Sequence, residues 1–319
     1  MVRYHRSRLA AAFFAVTALL ISVNAGAQDA PLSAPATVRS VLATSDAEID
    51  FAKAKLTFDK LVSPALDISA ALNQLDRAFE TVTRMAGPSP SNKAKLTAIR
   101  TYIYESGDWN DRRPFQYDMT DPNGQKLSNR LLASYLDTRR GNCITMPILF
   151  LILADRMHLP VALSRAPLHF FIKYTDDVTG QALNLETTSG GYPARDSWIR
   201  EQMPMTDQAI ANGLYLRPLT RRETLAAMAA VVVEADLERQ RFQEGIEIAN
   251  IILEYDPTFA YMLAKRGSAF AAQIEAEFVQ KYPRPADIPS SLRPRYQVLQ
   301  ERNLSDFAKA EALGWREDQ

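Results

Sequence analysis

The sequence predicts an α+β fold, with helices first, an antiparallel strand set after them and helices again at the end. Three observations carry this. Apolar residues between positions 45 and 136 recur at spacings of three and four. Residues 161–188 hold short aromatic and β-branched runs split by turn residues. From about Thr220 the helical period returns.

Residues 28–45 are rich in Ala, Pro, Ser and Thr and read as a linker. Phe51, Leu56, Phe58 and Leu61 open a helical stretch that meets Pro64. Ile68, Leu72, Leu75, Phe79 and Val82 continue it until Gly87-Pro88-Ser89-Pro90 breaks the chain. Ser91 or Asn92 can cap a third helix, with Leu96, Ile99, Tyr102 and Ile103 on one face. Residues 107–124 carry Gly, Asp, Asn, Arg and Pro and are expected to be a long loop. Leu127, Leu131, Leu132, Tyr135 and Leu136 form the next amphipathic helix, with Arg139-Arg140-Gly141 as its stop.

The stretch after Cys143 is apolar on every side as far as Ala154, so this helix is expected to be central and buried. Pro147 is tolerated only near its start, and leaves the Cys143 carbonyl without an intrahelical partner. His158 stands in the following turn, where glycine is expected. Val161–Ser164 reads as a strand, Arg165-Ala166-Pro167 as a break, and Leu168–Tyr174 as a second strand. Ala182–Thr188 alternates as a half-buried third strand.

In the C-terminal part, Gly245, Ala249, Ile252 and Pro257 fall where a 34-residue tetratricopeptide unit places small or apolar residues and its closing proline. Leu263, Gly267 and Phe270 suit the first helix of a second unit, interrupted by four prolines in 283–294. The expected organisation is therefore a signal at 1–27, a linker at 28–45, an α+β domain at 46–215 and a helical repeat-like region at 216–319.

Lys+Arg and Asp+Glu both number 37, so there is no basic surplus of the kind a nucleic-acid footprint needs. Arg3, His5, Arg6 and Arg8 precede the apolar run 9–23, and Ala25-Gly26-Ala27 offers a cleavage site. These are the parts of a secretory signal. The run falls short of the roughly 20 residues a bilayer span needs. The mature chain is expected in the periplasm or secreted, with no stable membrane insertion. Outside the cytosol a single cysteine cannot form an internal disulfide, so Cys143 is either inert or kept for its reactivity.

Thiol catalysis needs a thiolate, a base and a group that orients the base. Gly141-Asn142-Cys143 puts the thiol at a helix start, with Asn142 free to cap. Of the three histidines, His169 is the polar residue inside LHFFIKY, where it can face a cleft while Leu168 and Phe170 pack inward. Asn184 and Glu186 share a face of the third strand, and either can accept the second ring N–H of His169. The Cys143 N–H is one oxyanion donor, with the Asn142 side chain as the candidate second. With one cysteine and two mature histidines far apart, no metal cluster and no cofactor is expected. No glycine-rich phosphate loop is present.

The order of cysteine, histidine and acid or amide, on the stretches RRGNC, ILFLILADRMHLPV, PLHF and NLETT, resembles the bacterial branch of the transglutaminase-like superfamily. That resemblance implies a papain/transglutaminase-like core, often followed by a helical repeat tail. It implies Cys143 as nucleophile and His169 as general base and acid. In the third role the family commonly has aspartate; Glu186 matches here, with Asn184 beside it. Two functions follow. One is an exported thiol enzyme that hydrolyses a peptide or isopeptide bond through a Cys143 acyl-thioester. The other is a non-catalytic protein whose core and repeat tail bind a peptide or an envelope protein.

Overall fold

The computed structural model describes residues 32–317, so the export signal read in residues 1–27 lies outside the described residues. Helix α1 (Ala34–Leu42) occupies what composition reads as a linker. Ser33 caps it through the Ala36 N–H, Pro35 sits in its first turn, and Val38 and Leu42 are buried. Four apolar positions among small and polar residues are too few to reveal that face in composition.

Helices α2 (Phe51–Val62), α3 (Ile68–Ala86) and α4 (Asn92–Tyr104) follow. Asp50, Asp67 and Ser91 cap them, each accepting from the N–H three residues on. The stretch expected as a plain loop contains β1 (Gln116–Tyr117), which pairs in parallel with β2 (Arg140–Gly141). Between them lies α5 (Leu132–Thr138), which ends on Arg139 in the left-handed region at φ 57°. The glycine stop expected at Gly141 is therefore two residues early. Gly141 serves a close approach instead, since a Cβ there would meet Thr145 Oγ1 at 2.4 Å and the Tyr135 ring at 2.6 Å.

Helix α6 (Thr145–Arg156) has ten of its twelve residues buried, as an all-round apolar helix must. It packs against α4, α5 and the main sheet. His158 ends it at φ 53°, with Leu159 N–H bonded to the Ala154 carbonyl. The left-handed conformation strains any residue with a Cβ, and the His158 ring is exposed and makes no structural bond. His158→Gly is expected to stabilise the fold by about 0.5–1 kcal/mol, read as a higher melting temperature.

The main sheet is antiparallel, in the order β3 (Val161–Ala166), β4 (His169–Thr175), β5 (Ala182–Glu186), β6 (Tyr192–Ala194). Pro167 and Leu168 form the turn between β3 and β4, with Ala166 opposite His169. Leu168 is thus not an inward strand residue: it has φ 53° and is 64% exposed. Pro167 fixes the first turn position, which leaves the second one the positive φ that glycine usually takes. After the short helices α7 (Asp196–Gln202) and α8 (Asp207–Ala211), the chain returns along the open edge of β3. There Leu216 and Leu219 donate to the carbonyls of Arg165 and Leu163, at 2.9 and 2.8 Å.

Four helices close the chain: α9 (Arg221–Glu238), α10 (Phe242–Tyr255), α11 (Ala260–Ile274) and α12 (Arg293–Ala312). Each packs on the next, while α9 also packs on α2 and α10 on α1. Residues Ser33–Gln319 accordingly form one compact unit. Gly267, one of the small residues of the C-terminal pattern, lies against Phe307 of α12, where a Cβ would come within 2.9 Å of the ring. Among the described residues no helix is long and apolar enough to cross a membrane.

Candidate active site

Cys143 is placed by its flanks. The β1–β2 pair fixes Gly141, with Asp118 N–H bonded to the Gly141 carbonyl at 2.8 Å. Asn142 caps the following turn: its Oδ1 accepts from Ile144 N–H at 2.9 Å and Thr145 N–H at 3.3 Å. Thr145 Oγ1 answers by accepting from the Asn142 N–H at 3.2 Å, a reciprocal cap. Met146 N–H reaches the Asn142 carbonyl at 3.1 Å. Cys143 thus follows the cap, although regular helix begins only at Thr145, because Pro147 cannot bond the Cys143 carbonyl.

His169 is the first residue of β4, beside the turn whose Leu168 carbonyl accepts from Cys143 Sγ at 3.4 Å. Its Nε2 lies 2.8 Å from Glu186 Oε2. With Nε2 engaged by Glu186, Nδ1 is the ring nitrogen left for the thiol, and Cys143 lies close enough to influence the ring's charge. Burial opposes a charged ring here. The nearby Cys143, with the Glu186 hydrogen bond and charge, outweighs that cost and raises the imidazole to about 9. Glu186 is held below the usual carboxylate range: burial pushes it up, but the His169 hydrogen bond and charge and the Thr188 bonds win. Its Oε1 accepts from Thr188 N–H at 2.9 Å and from Thr188 Oγ1 at 2.6 Å, so both oxygens are engaged.

Of the two residues that share the β5 face, only Glu186 reaches His169. The register sets Asn184 opposite Lys173 and Leu185 opposite Ile172, so Glu186 falls beside Phe171 and diagonal to His169. Asn184 stands four residues along β4 from the histidine and cannot orient it. It bonds the Ala194 carbonyl at 3.1 Å and Asp196 Oδ1 at 2.6 Å instead, tying β5 to the start of α7.

Asn142 is buried, and with Oδ1 committed to the cap its Nδ2 has no hydrogen-bond partner. Gly124, at φ 61°, passes close by: a Cβ there would stand 3.0 Å from Nδ2. The loop that carries Gly124 is held by three buried residues that the sequence reading passed over. Asn129 Nδ2 donates to Asp118 Oδ2 at 2.9 Å and Asp121 Oδ2 at 2.8 Å. The Asn129 carbonyl accepts from Thr145 Oγ1 at 3.1 Å, so loop and helix start are one network. Hydrogen bonds from Thr120 and then Asn129 lower Asp118 to about 2. The Asp121-Pro122-Asn123-Gly124 string was the available signal, being strong turn chemistry beside two acids.

Arg165 was also missed. It belongs to β3 rather than to a break, and is 3% exposed. Cys143, His169, Asn142, Gly124 and Arg165 all line one cavity of about 150 Å³, whose far wall comes from α9 and α11. Among the described residues no group of three His, Cys, Asp or Glu stands close enough to hold a metal.

The arrangement is a thiol and an imidazole on one cleft, with a carboxylate bonded to the imidazole. A family model of the transglutaminase-like superfamily matches residues 69–230, which span α3 to α9 and include Cys143, His169 and Glu186. No curated protein and no solved structure matches the chain. The match covers half the chain, and with it the chain belongs to the transglutaminase-like superfamily.

Proposed function

We propose that the protein is an exported thiol enzyme that hydrolyses a peptide or isopeptide bond through a Cys143 acyl-thioester. The observation that carries this reading is the His169–Glu186 contact at 2.8 Å, on a ring that lines one cavity with Cys143. A histidine kept only for packing needs neither a charged partner nor a thiol neighbour.

Cys143 gives its proton to Nδ1 of His169, where Glu186 holds the charge. Sγ then attacks the scissile carbonyl carbon, forming a C–S bond. As the residue after the cap, Cys143 has a backbone N–H with no intrahelical partner, and this donor faces the developing oxyanion. Asn142 Nδ2, buried and unpaired, is the second donor. Collapse breaks the C–N bond while imidazolium returns its proton to the departing amine. Water, deprotonated by His169, then attacks the thioester; the C–S bond breaks and the acid leaves. Partial exposure of Cys143 favours water over an amine acceptor. Export is supported by the charged, apolar and small-residue segments in 3–27. The C-terminal helices, with a tetratricopeptide-like spacing of small residues, offer a surface for a protein partner.

The test uses the fact that the chain has one cysteine. At neutral pH iodoacetamide is expected to label Cys143 about ten- to a hundredfold faster than glutathione, and His169→Ala to remove the advantage. Labelling no faster than glutathione would sink the enzyme reading and leave the binding-protein one.

A further inference from the structure

The cavity beside Cys143 extends past the catalytic residues. Ala166 lies opposite His169 and Arg165 opposite Phe170, and successive strand residues face opposite ways. The cavity therefore bends around the β3–β4 turn, from the thiol to the face that carries Arg165. Its walls there are apolar and aromatic, with Met228, Val231, Phe259 and Trp315 among them.

Arg165 is the anomaly on this wall. Its guanidinium is buried over the Phe259 ring at 4.5 Å, and Nη1 approaches Asp256 Oδ2 to 2.9 Å. That contact is close but not aligned for hydrogen bonding. Nε, Nη1 and Nη2 all lack a hydrogen-bond partner, as does Asp256 Oδ2. A buried guanidinium presents a planar fork of five donors, and leaving them unused is costly. Burial pulls Arg165 below its ordinary value even beside Asp256, so the site under-solvates its cation. Arg130, Arg165 and His169 line the cavity, and each has a carboxylate beside it: Glu234 for Arg130, Asp256 for Arg165 and Glu186 for His169. Glu234 also accepts from the Tyr261 hydroxyl.

We propose that Arg165 receives a carboxylate of a peptide ligand, whose apolar side chain lies against Met228, Val231 and Phe259. Nη1 faces Asp256, and the Nε and Nη2 edge, which has no partner, matches a carboxylate bidentately. A space of about 150 Å³ holds one benzene-sized group, which fits a single apolar side chain rather than a folded partner. The carboxylate is either a peptide's C-terminus or an acidic side chain. As a substrate assignment this rests on the hydrolase reading; as a binding site it does not.

The experiment uses the full chain carrying Cys143→Ala, so that nothing turns over. Three peptides are titrated by calorimetry: N-acetyl-Ala-Ala-Phe as the free acid, its C-terminal amide, and N-acetyl-Ala-Glu-Phe amide. At least one carboxylate peptide is expected to bind about tenfold or more tightly than the uncharged amide. The stronger of the two identifies the source of the carboxylate. The double variant Arg165→Met with Asp256→Leu removes the ion pair as a unit and is expected to abolish the preference. Arg165→Lys, which keeps the charge and loses the fork, is expected to weaken it and stands in should the double variant not fold. Equal binding of acid and uncharged amide, no binding of any peptide, or a preference that survives these variants would mean that Arg165 is a structural ion pair only. Slow labelling of Cys143 would remove the hydrolase and leave this binding result standing.

Discussion

Asp59→Ala is expected to destabilise the fold by about 3–5 kcal/mol, the range for removing one partner of a buried ion pair. Lys55 and Asp59 are both fully buried, one turn apart on α2. Lys55 Nζ bonds the Asp59 carboxylate and the Arg130 carbonyl, the latter at 2.8 Å. Asp59 Oδ2 accepts from Leu132 N–H at 2.6 Å and Ala133 N–H at 3.4 Å, so it caps α5 from another helix. Alanine would leave a buried ammonium without its counter-charge and the first amides of α5 without an acceptor. Because α5 leads directly into Arg139, β2 and Cys143, the loss should reach the site as well. Urea unfolding is expected to show a lower midpoint at an unchanged slope. Replacing Lys55 and Asp59 together by apolar residues should recover only part of the loss, since the α5 amides stay uncapped. Full recovery would show that Asp59 serves Lys55 alone.

Glu186→Gln is expected to lower the pH at which the site loses its proton. His169 is raised from 6.5 to about 9 in the folded chain. Its charged form therefore adds stability that is fully present below about pH 6.5, the unfolded value, and is lost as pH rises through about 9. In the proposed hydrolysis the same protonated ring delivers a proton to the leaving amine, so the acylation rate is expected to fall through the same window. Glutamine keeps a hydrogen-bonding group but removes the negative charge, so the falling limb moves down toward 6.5. The melting temperature, followed from pH 6 to 10, should show the corresponding loss in the parent chain and a smaller one in His169→Gln. An alkaline limb that Glu186→Gln leaves in place would mean that Glu186 does not set the imidazole's charge.

Much of this molecule is legible locally. The caps at Asp50, Asp67 and Ser91 sit one residue before their helices, because a short polar side chain satisfies an amide three residues away with no outside help. The buried α6 shows in its unbroken apolar run, and His158 in the left-handed turn follows from where that run stops. Helix α1 was missed because its two fully buried residues, Val38 and Leu42, face α9 and α10, far away in the chain.

What the sequence by itself determined is the α+β order and the presence of Cys143 before a buried helix and His169 on a later strand. Both rest on short-range physics: periodicity, capping and turn chemistry act within a few residues. Tertiary structure decided which residue completes the site. Asn184 and Glu186 share a face, and only the β4–β5 register sets one beside His169 and sends the other to Asp196. It also decided that Arg165, an ordinary charged residue in sequence, is buried on a cavity wall beside Asp256 with Nε and Nη2 unbonded. Register and burial depend on partners many residues away, and no local pattern encodes which partner arrives.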